Sequence, residues 1–293
     1  MSENIGLIGT ITHDEIYSEN RIIYEGLGGV LYQASTLCDL GKNVFLYTNL
    51  AEGLESEVQS SIQGWPTLHK KGIQRVPGPG NRVRLYYPSK GERQEVLKST
   101  VAPLNPEKLI HDLSKMSFLV CVLNSGFDIT LEDWRRVVER TSCPVWMDVH
   151  SLSLTREINK TRKYRCLPEW KHWSAGVEYL QTNRKEVSSM MSHPHRNPSE
   201  AEMMELGKQA FEIGVKTVFI TLGKEGVWCI TPTKKRKISP TPSEKVVETT
   251  GCGDIFCGAT VAKLVEGGNP FQAASFGVQC AARAAEQKGI KKL

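Results

Sequence analysis

The chain has 293 residues, 40% of them apolar, and a formal net charge of +5, which is enough for one large domain with its own core and without stabilising cross-links. Its 37 lysines and arginines are spread along the chain, and only residues 234–237 (Lys-Lys-Arg-Lys) form a run, so the charge gives no indication of a nucleic-acid partner. The eight cysteines show no C-x-x-C spacing, the first thirty residues lack a basic start followed by an apolar stretch, and no window approaches the roughly 18 apolar residues of a membrane span; a cytoplasmic protein without a membrane segment is expected.

In chain order, residues 5–10 read as a short apolar strand, 30–40 as a helix ended by Gly41, and 44–49 as a second strand. Further apolar strands are expected at 118–123, 145–149, 179–182 and 217–222. Helical patterns follow at 131–140, 201–213, 255–265 and 271–286. Continuous apolar strands alternating with amphipathic helices predict an α/β fold, a mostly parallel central sheet covered by helices on both faces. Two stretches break the alternation. Residues 15–25 and 75–98 interleave polar and apolar positions, punctuated by Pro77-Gly78-Pro79-Gly80-Asn81 and by Lys90-Gly91. They are expected to form a small β-sheet lid over the strand ends of a single domain spanning 1–293. The basic run 234–237 is expected to tip a hairpin between strand 227–230 and a strand leading into residue 249.

Thr249-Thr250-Gly251-Cys252-Gly253-Asp254 is expected between that strand and a helix. A glycine-rich entry to a helix offers unpaired amides and the positive end of the helix dipole to an anion. The aspartate has two readings at this point, a cap of the helix or a group working beside the anion.

The rest of the chain bears on that choice. Glu248-Thr249-Thr250-Gly251-Cys252-Gly253-Asp254, followed by Phe256 and Gly258, resembles the Asp-Thr-x-Gly-Ala-Gly-Asp signature of the ribokinase family of carbohydrate kinases, also called the PfkB family. Gly28-Gly29 opening the first helix is similar to its N-terminal glycine pair. Asn183-Arg184-Lys185-Glu186 matches its Asn-x-x-Glu motif, and Thr221-Leu222-Gly223-Lys224-Glu225-Gly226 matches its Thr-x-Gly-x-x-Gly. The four motifs stand in the family's order across nearly the whole chain.

The resemblance implies a three-layer ribokinase-like sandwich and transfer of the γ-phosphoryl of ATP to a hydroxyl of a sugar or sugar-like polyol. By the same resemblance Asp254 is the base, and the amides of Gly251, Cys252 and Gly253 stabilise the phosphoryl in flight. Base and anion hole must be neighbours for such a loose transfer. Asp14, Gly28, Gly29 and Gln33 would bind the acceptor. Asn183, Thr221, Gly223, Gly226 and Thr250 would bind ATP, and Glu186 would act on Mg2+ through water. Bland readings stand beside these: Glu186 and Asn183 as helix-start residues, Asp14 as a turn residue.

Three departures matter. Gln33 stands where the family has asparagine, which leaves the substrate class open between sugar, polyol, nucleoside and phosphosugar. Glu248 replaces an aspartate, which leaves monovalent-cation activation open, and Cys252 replaces alanine. Arg82 and Arg84 could meet a substrate phosphate or form the lid's solvated face. Asn124, Ser125, Asp128, Asp148 and His150 fall at strand ends, where ligands of such sheets gather. The Val83, Leu85 and Tyr87 face would permit a homodimer through the lid. A catalytically silent sensor is the alternative from another class. A Rossmann oxidoreductase would need Gly-x-Gly-x-x-Gly after the first strand, which Gly6 and Gly9 do not supply.

Overall fold

In the computed structural model, which describes residues 3–19, 21–89, 93–240, 246–287 and 289–290, the uninterrupted apolar runs become the inner strands of a large sheet. The strands are β1 (Asn4–Ile8), β2 (Ile11–Ser18), β3 (Arg21–Gly29), β4 (Asn43–Ala51), β5 (Leu68–His69), β6 (Ile73–Val76) and β7 (Asn81–Tyr87), then β8 (Gln94–Ser99), β9 (Phe118–Val122), β10 (Val145–Asp148), β11 (Tyr179–Asn183), β12 (Thr217–Thr221), β13 (Val227–Ile230) and β14 (Lys235–Ile238). The helices are α1 (Leu31–Asp39), α2 (Glu55–Ile62), α3 (Glu107–Asp112), α4 (Leu131–Arg140), α5 (Trp170–Ser174), α6 (Arg184–Met190), α7 (Glu200–Glu212), α8 (Cys252–Val265) and α9 (Pro270–Ala284).

The main sheet runs β14-β13-β12-β11-β10-β9-β1-β4-β5, with β6 also on β4. It is parallel from β12 to β5, and only the β13–β14 end is antiparallel. Residues of α1, α2, α8 and α9 join one apolar core, and those of α3 to α7 join the other. Strands buried on both faces need that covering, so the three layers follow from the unbroken apolar runs. Trp146 of β10 and Phe219 of β12, on the strands either side of β11, stack at 4.9 Å, and Phe256 of α8 meets Phe219 edge-on at 5.9 Å. This aromatic layer fixes where the first turn of α8 stands over the strand ends.

The second sheet, ordered β3-β2-β7-β8, is the expected lid. It is larger at its first segment than 15–25, because β2 begins at Ile11 and β3 continues to Gly29. Residues 75–76 belong instead to β6, paired with β4 in the main sheet. Residue 20 and the Lys90-Gly91 turn lie outside the described residues. Ile16, Val83, Leu85 and Leu97 form a small core on the lid's inner side. Val83 and Leu85 therefore pack within the chain rather than presenting a free face for a dimer; the exposed apolar residues of the lid are Ile22 and Ile23 on β3.

The outer edge of β8 is covered by the chain itself: the Asn159 amide donates to Leu97 O at 2.8 Å, and the Arg162 amide donates to Glu95 O at 2.8 Å. The Arg162 guanidinium, fully buried, pairs with Glu95 at 2.9 Å and donates to the carbonyls of Ser125 and Thr155. A covered edge is protected from unwanted pairing, and here the cover also ties the lid to the body.

The hairpin at the sheet end differs from expectation. Thr231 and Lys234 close its turn, so Lys235 to Lys237 lie along β14 rather than at a tip. Among the described residues no strand leads directly into residue 249. The amides of Val247 and Glu248 both donate to the Ala285 carbonyl at the end of α9. Among the described residues no helix is long and apolar enough to cross a membrane.

Candidate active site

Two cavities meet over the strand ends. The larger, about 430 Å³, lies against β11, β12 and the start of α6; the smaller, about 60 Å³, lies under the lid. Arg93, His150, Gly251 and Asp254 line both. These four mark the junction.

Gly251 opens α8 with φ +77, a left-handed turn that suits glycine, and a Cβ there would also stand 2.7 Å from the Tyr32 ring. Gly253 lines the larger cavity, and Asp254 follows in the first helical turn. Cys252 departs from its expected role. Its amide donates to Thr249 O at 3.2 Å, and it lines neither cavity, because the tight turn consumes that donor.

Gln33, expected to hold the acceptor, stands away from both cavities. It is fully buried, and its Nε2 donates to Asp254 Oδ1 at 2.6 Å. The extra methylene carries its amide to the carboxylate.

Asp14 lies within strand β2, so the turn reading fails. It lines the lid-side cavity together with Thr12 and Gly29, and Gly28 makes room for it: a Cβ there would fall 2.3 Å from Asp14 Oδ2. Thr250, expected with the nucleotide, lines this cavity too and meets the Tyr87 hydroxyl at 2.9 Å.

Asn183, Glu186, Thr221 and Gly223, expected at the nucleotide and its metal, line the larger cavity. The cap reading of the Asn-x-x-Glu motif holds at the same time. Asn183 Oδ1 accepts from the Lys185 and Glu186 amides, while Glu186 Oε2 accepts from the Asn183 amide at 2.7 Å, a reciprocal capping box. Gly226 does not line the cavity. At φ +93 it lets β13 pass the Ile238 carbonyl, to which a Cβ would approach within 1.9 Å.

The site crowds carboxylates into a place poor in water. Burial raises Asp14, Glu186 and Asp254 to about 7 each. The Thr12 hydroxyl opposes the rise at Asp14, the Asn183 amide at Glu186, and the Gln33 amide at Asp254. Asp148, holding Gln181 Nε2 at 2.9 Å, is pushed well above the usual range by burial and then by Glu186 and Asp254. His150 goes the other way, down to about 4 through burial, so its imidazole is neutral at neutral pH, with Nδ1 2.9 Å from the Ser151 hydroxyl.

Arg93 is the cation the sequence reading passed over. Its side chain stands at the junction of the cavities, 3.6 Å from Glu95, which also lines the lid-side cavity. The arginines singled out earlier point elsewhere: Arg84 pairs with Glu15 at 2.8 Å, and Arg82 bonds the Pro79 carbonyl. Asn124, Asp148 and His150 line the cavities. Asp128 instead braces a turn, accepting from Thr10 Oγ1 at 2.5 Å and from the Ser125 and Gly126 amides.

A lidded α/β sandwich whose glycine turn opens a helix beside a carboxylate is the ribokinase-like architecture. Ribokinase of Arabidopsis thaliana, solved with ribose and ATP, superposes with TM-score 0.76 over 99% of this chain and 94% of that one, at 17% identity. Adenosine kinase of Sinorhizobium meliloti gives TM-score 0.77 over 99% and 95%, at 14% identity. The family model described as "pfkB family carbohydrate kinase" matches residues 153–292, a little under half of the chain. An uncharacterized sugar kinase of Archaeoglobus fulgidus is 28% identical over 182 residues, 62% of this chain; the match spans 64% of that relative's length, less than two thirds.

Proposed function

We propose that the protein transfers the γ-phosphoryl group of ATP to a hydroxyl of a small sugar or sugar-like polyol. The observation that carries this is the junction: Gly251, Asp254, Arg93 and His150 face both a roomy cavity and a small polar one. A phosphoryl group passing from one to the other would cross them.

In this reading the acceptor lies under the lid with hydroxyls on Asp14. Asp254 accepts the proton of the attacking hydroxyl as the oxygen–phosphorus bond forms and the bond to the ADP oxygen breaks. The Gly251 and Gly253 amides and the Arg93 guanidinium face the charge that spreads over the phosphoryl oxygens. Asp254 suits a base working near neutrality, since its pKa is about 7.

No group of three or more metal-ligating side chains occurs among the described residues, so a protein-only cage is not what Mg2+ would use. The fit is to a phosphate-held ion: Glu186, whose oxygens are engaged by Asn183 and Thr182, and Asp148 beside it would face its waters. When bound, the ion supplies charge neutralisation on the phosphates.

Two observations favour a polyol over a nucleoside. The lid-side cavity is about 60 Å³, and its walls carry three buried polar atoms without a hydrogen-bond partner, Thr12 Oγ1, Tyr32 OH and Asn124 Oδ1. A compact polyhydroxylated ligand would satisfy them. The test of roles is Asp254→Asn. Turnover is expected to fall at least about a hundredfold with ATP binding retained; turnover within about tenfold of the parent would overturn the assignment of the base.

A further inference from the structure

We propose that Gln33 is a positioning residue that orients the Asp254 carboxylate toward the acceptor, and not a ligand of the acceptor. The inference rests on the phosphotransferase reading.

Gln33 sits on α1 and Asp254 on α8, 221 positions apart in sequence, and the Nε2–Oδ1 distance is 2.6 Å. Gln33 has no exposure and lines neither cavity. Its Oε1 is buried without a partner. A side chain held at that cost would be expected to have a use, and the contact it makes is with one oxygen of the carboxylate. Pinning Oδ1 leaves Oδ2 as the oxygen to take a proton. The two helices pack closely at this level, where a Cβ on Gly258 would stand 3.3 Å from the Gln33 carbonyl, so the amide is held by rigid elements.

Other groups also act on Asp254. Arg93 from the lid lowers its pKa. Asp14 of β2, Asp148 at the end of β10, Glu186 of α6, Tyr32 of α1 and Cys257 of α8 interact with it electrostatically. Against that fixed background, removing the Gln33 donor takes away a bond that favours the charged form. The base then holds its proton to higher pH.

The experiment compares pH profiles of kcat/KM for the parent, Gln33→Met, which keeps the length without a donor, and Gln33→Glu, which keeps the shape. Parent turnover comes first: a parent that phosphorylates no acceptor sinks the phosphotransferase reading itself, separately from this inference. With an active parent, the acid limb should move up by about one pH unit in Gln33→Met and further in Gln33→Glu. The KM for acceptor should stay within about twofold, and kcat at neutral pH should fall about tenfold. An unmoved acid limb in whichever variant folds would overturn the proposal. A rise in acceptor KM with the limb unmoved would also overturn it, by making Gln33 an acceptor ligand.

Discussion

Replacing Asp14 by asparagine should stabilise the folded protein at pH 8 while weakening acceptor binding. Asp14 is 6% exposed, and burial, partly offset by Thr12, raises its pKa from 3.8 to about 7. That shift of ~3 pH units sets an upper bound of about 4 kcal/mol on the cost of charging the group in the native state. Screening by an interior more polarisable than dry protein brings the expected cost to about 2 kcal/mol. The native state holds this proton more tightly than the unfolded chain does. The penalty is therefore absent below about pH 4, grows as pH rises, and is complete above about 7.

Asparagine has nearly the same shape and no charge at any of these pH values. Thermal unfolding of parent and variant at pH 4, 5.5, 7 and 8 checks the argument. The difference in Tm should be close to zero at pH 4 and reach about +4 °C at pH 8. A difference that does not change with pH would refute it, because the gain would then come from packing rather than charge. The accompanying loss of acceptor binding would be a trade of stability for function at one carboxylate.

Arg93→Gln should lower kcat by about a hundredfold and leave the KM for ATP within a few-fold, since the charge it faces develops in transit; steady-state kinetics with unchanged kcat would remove Arg93 from the reaction. Gly226→Ala forces a side chain into a left-handed backbone and against the Ile238 carbonyl. It should cost about 3 kcal/mol or more in a melting experiment, although Gly226 does not line the cavity.

The core of this fold was legible because its chemistry is local. A run such as Phe118-Leu-Val-Cys-Val can be buried on both faces only in a covered parallel sheet. The glycine turn before Asp254 was legible for the same reason, since an anion-binding helix start is written in consecutive residues. The lid was read in part. Asp14 could be read as a turn residue, yet it is in a strand, where it and Thr12 line the lid-side cavity instead of an apolar core. A strand was expected to lead into residue 249, and there Val247 and Glu248 instead bond the Ala285 carbonyl, a contact no local pattern announces.

The misses at the site share one cause, which is distance along the chain. Gln33 reaches Asp254 across 221 positions, and Arg162 pins Glu95 across 67. Arg93 stands among alternating charged residues that look solvated, and only the placement of β8 beneath the 159–162 segment carries it over the junction. Cys252 shows the reverse case: the motif position is present, and the turn geometry takes its amide away.

The most direct measurement is ADP release with ATP and Mg2+ against small sugars, polyols, phosphosugars and nucleosides. Turnover is expected with a compact sugar or polyol, abolished in Asp254→Asn, and little with nucleosides. Turnover with nucleosides alone would contradict the polyol assignment, and ATP binding without turnover on any acceptor would contradict the phosphotransferase.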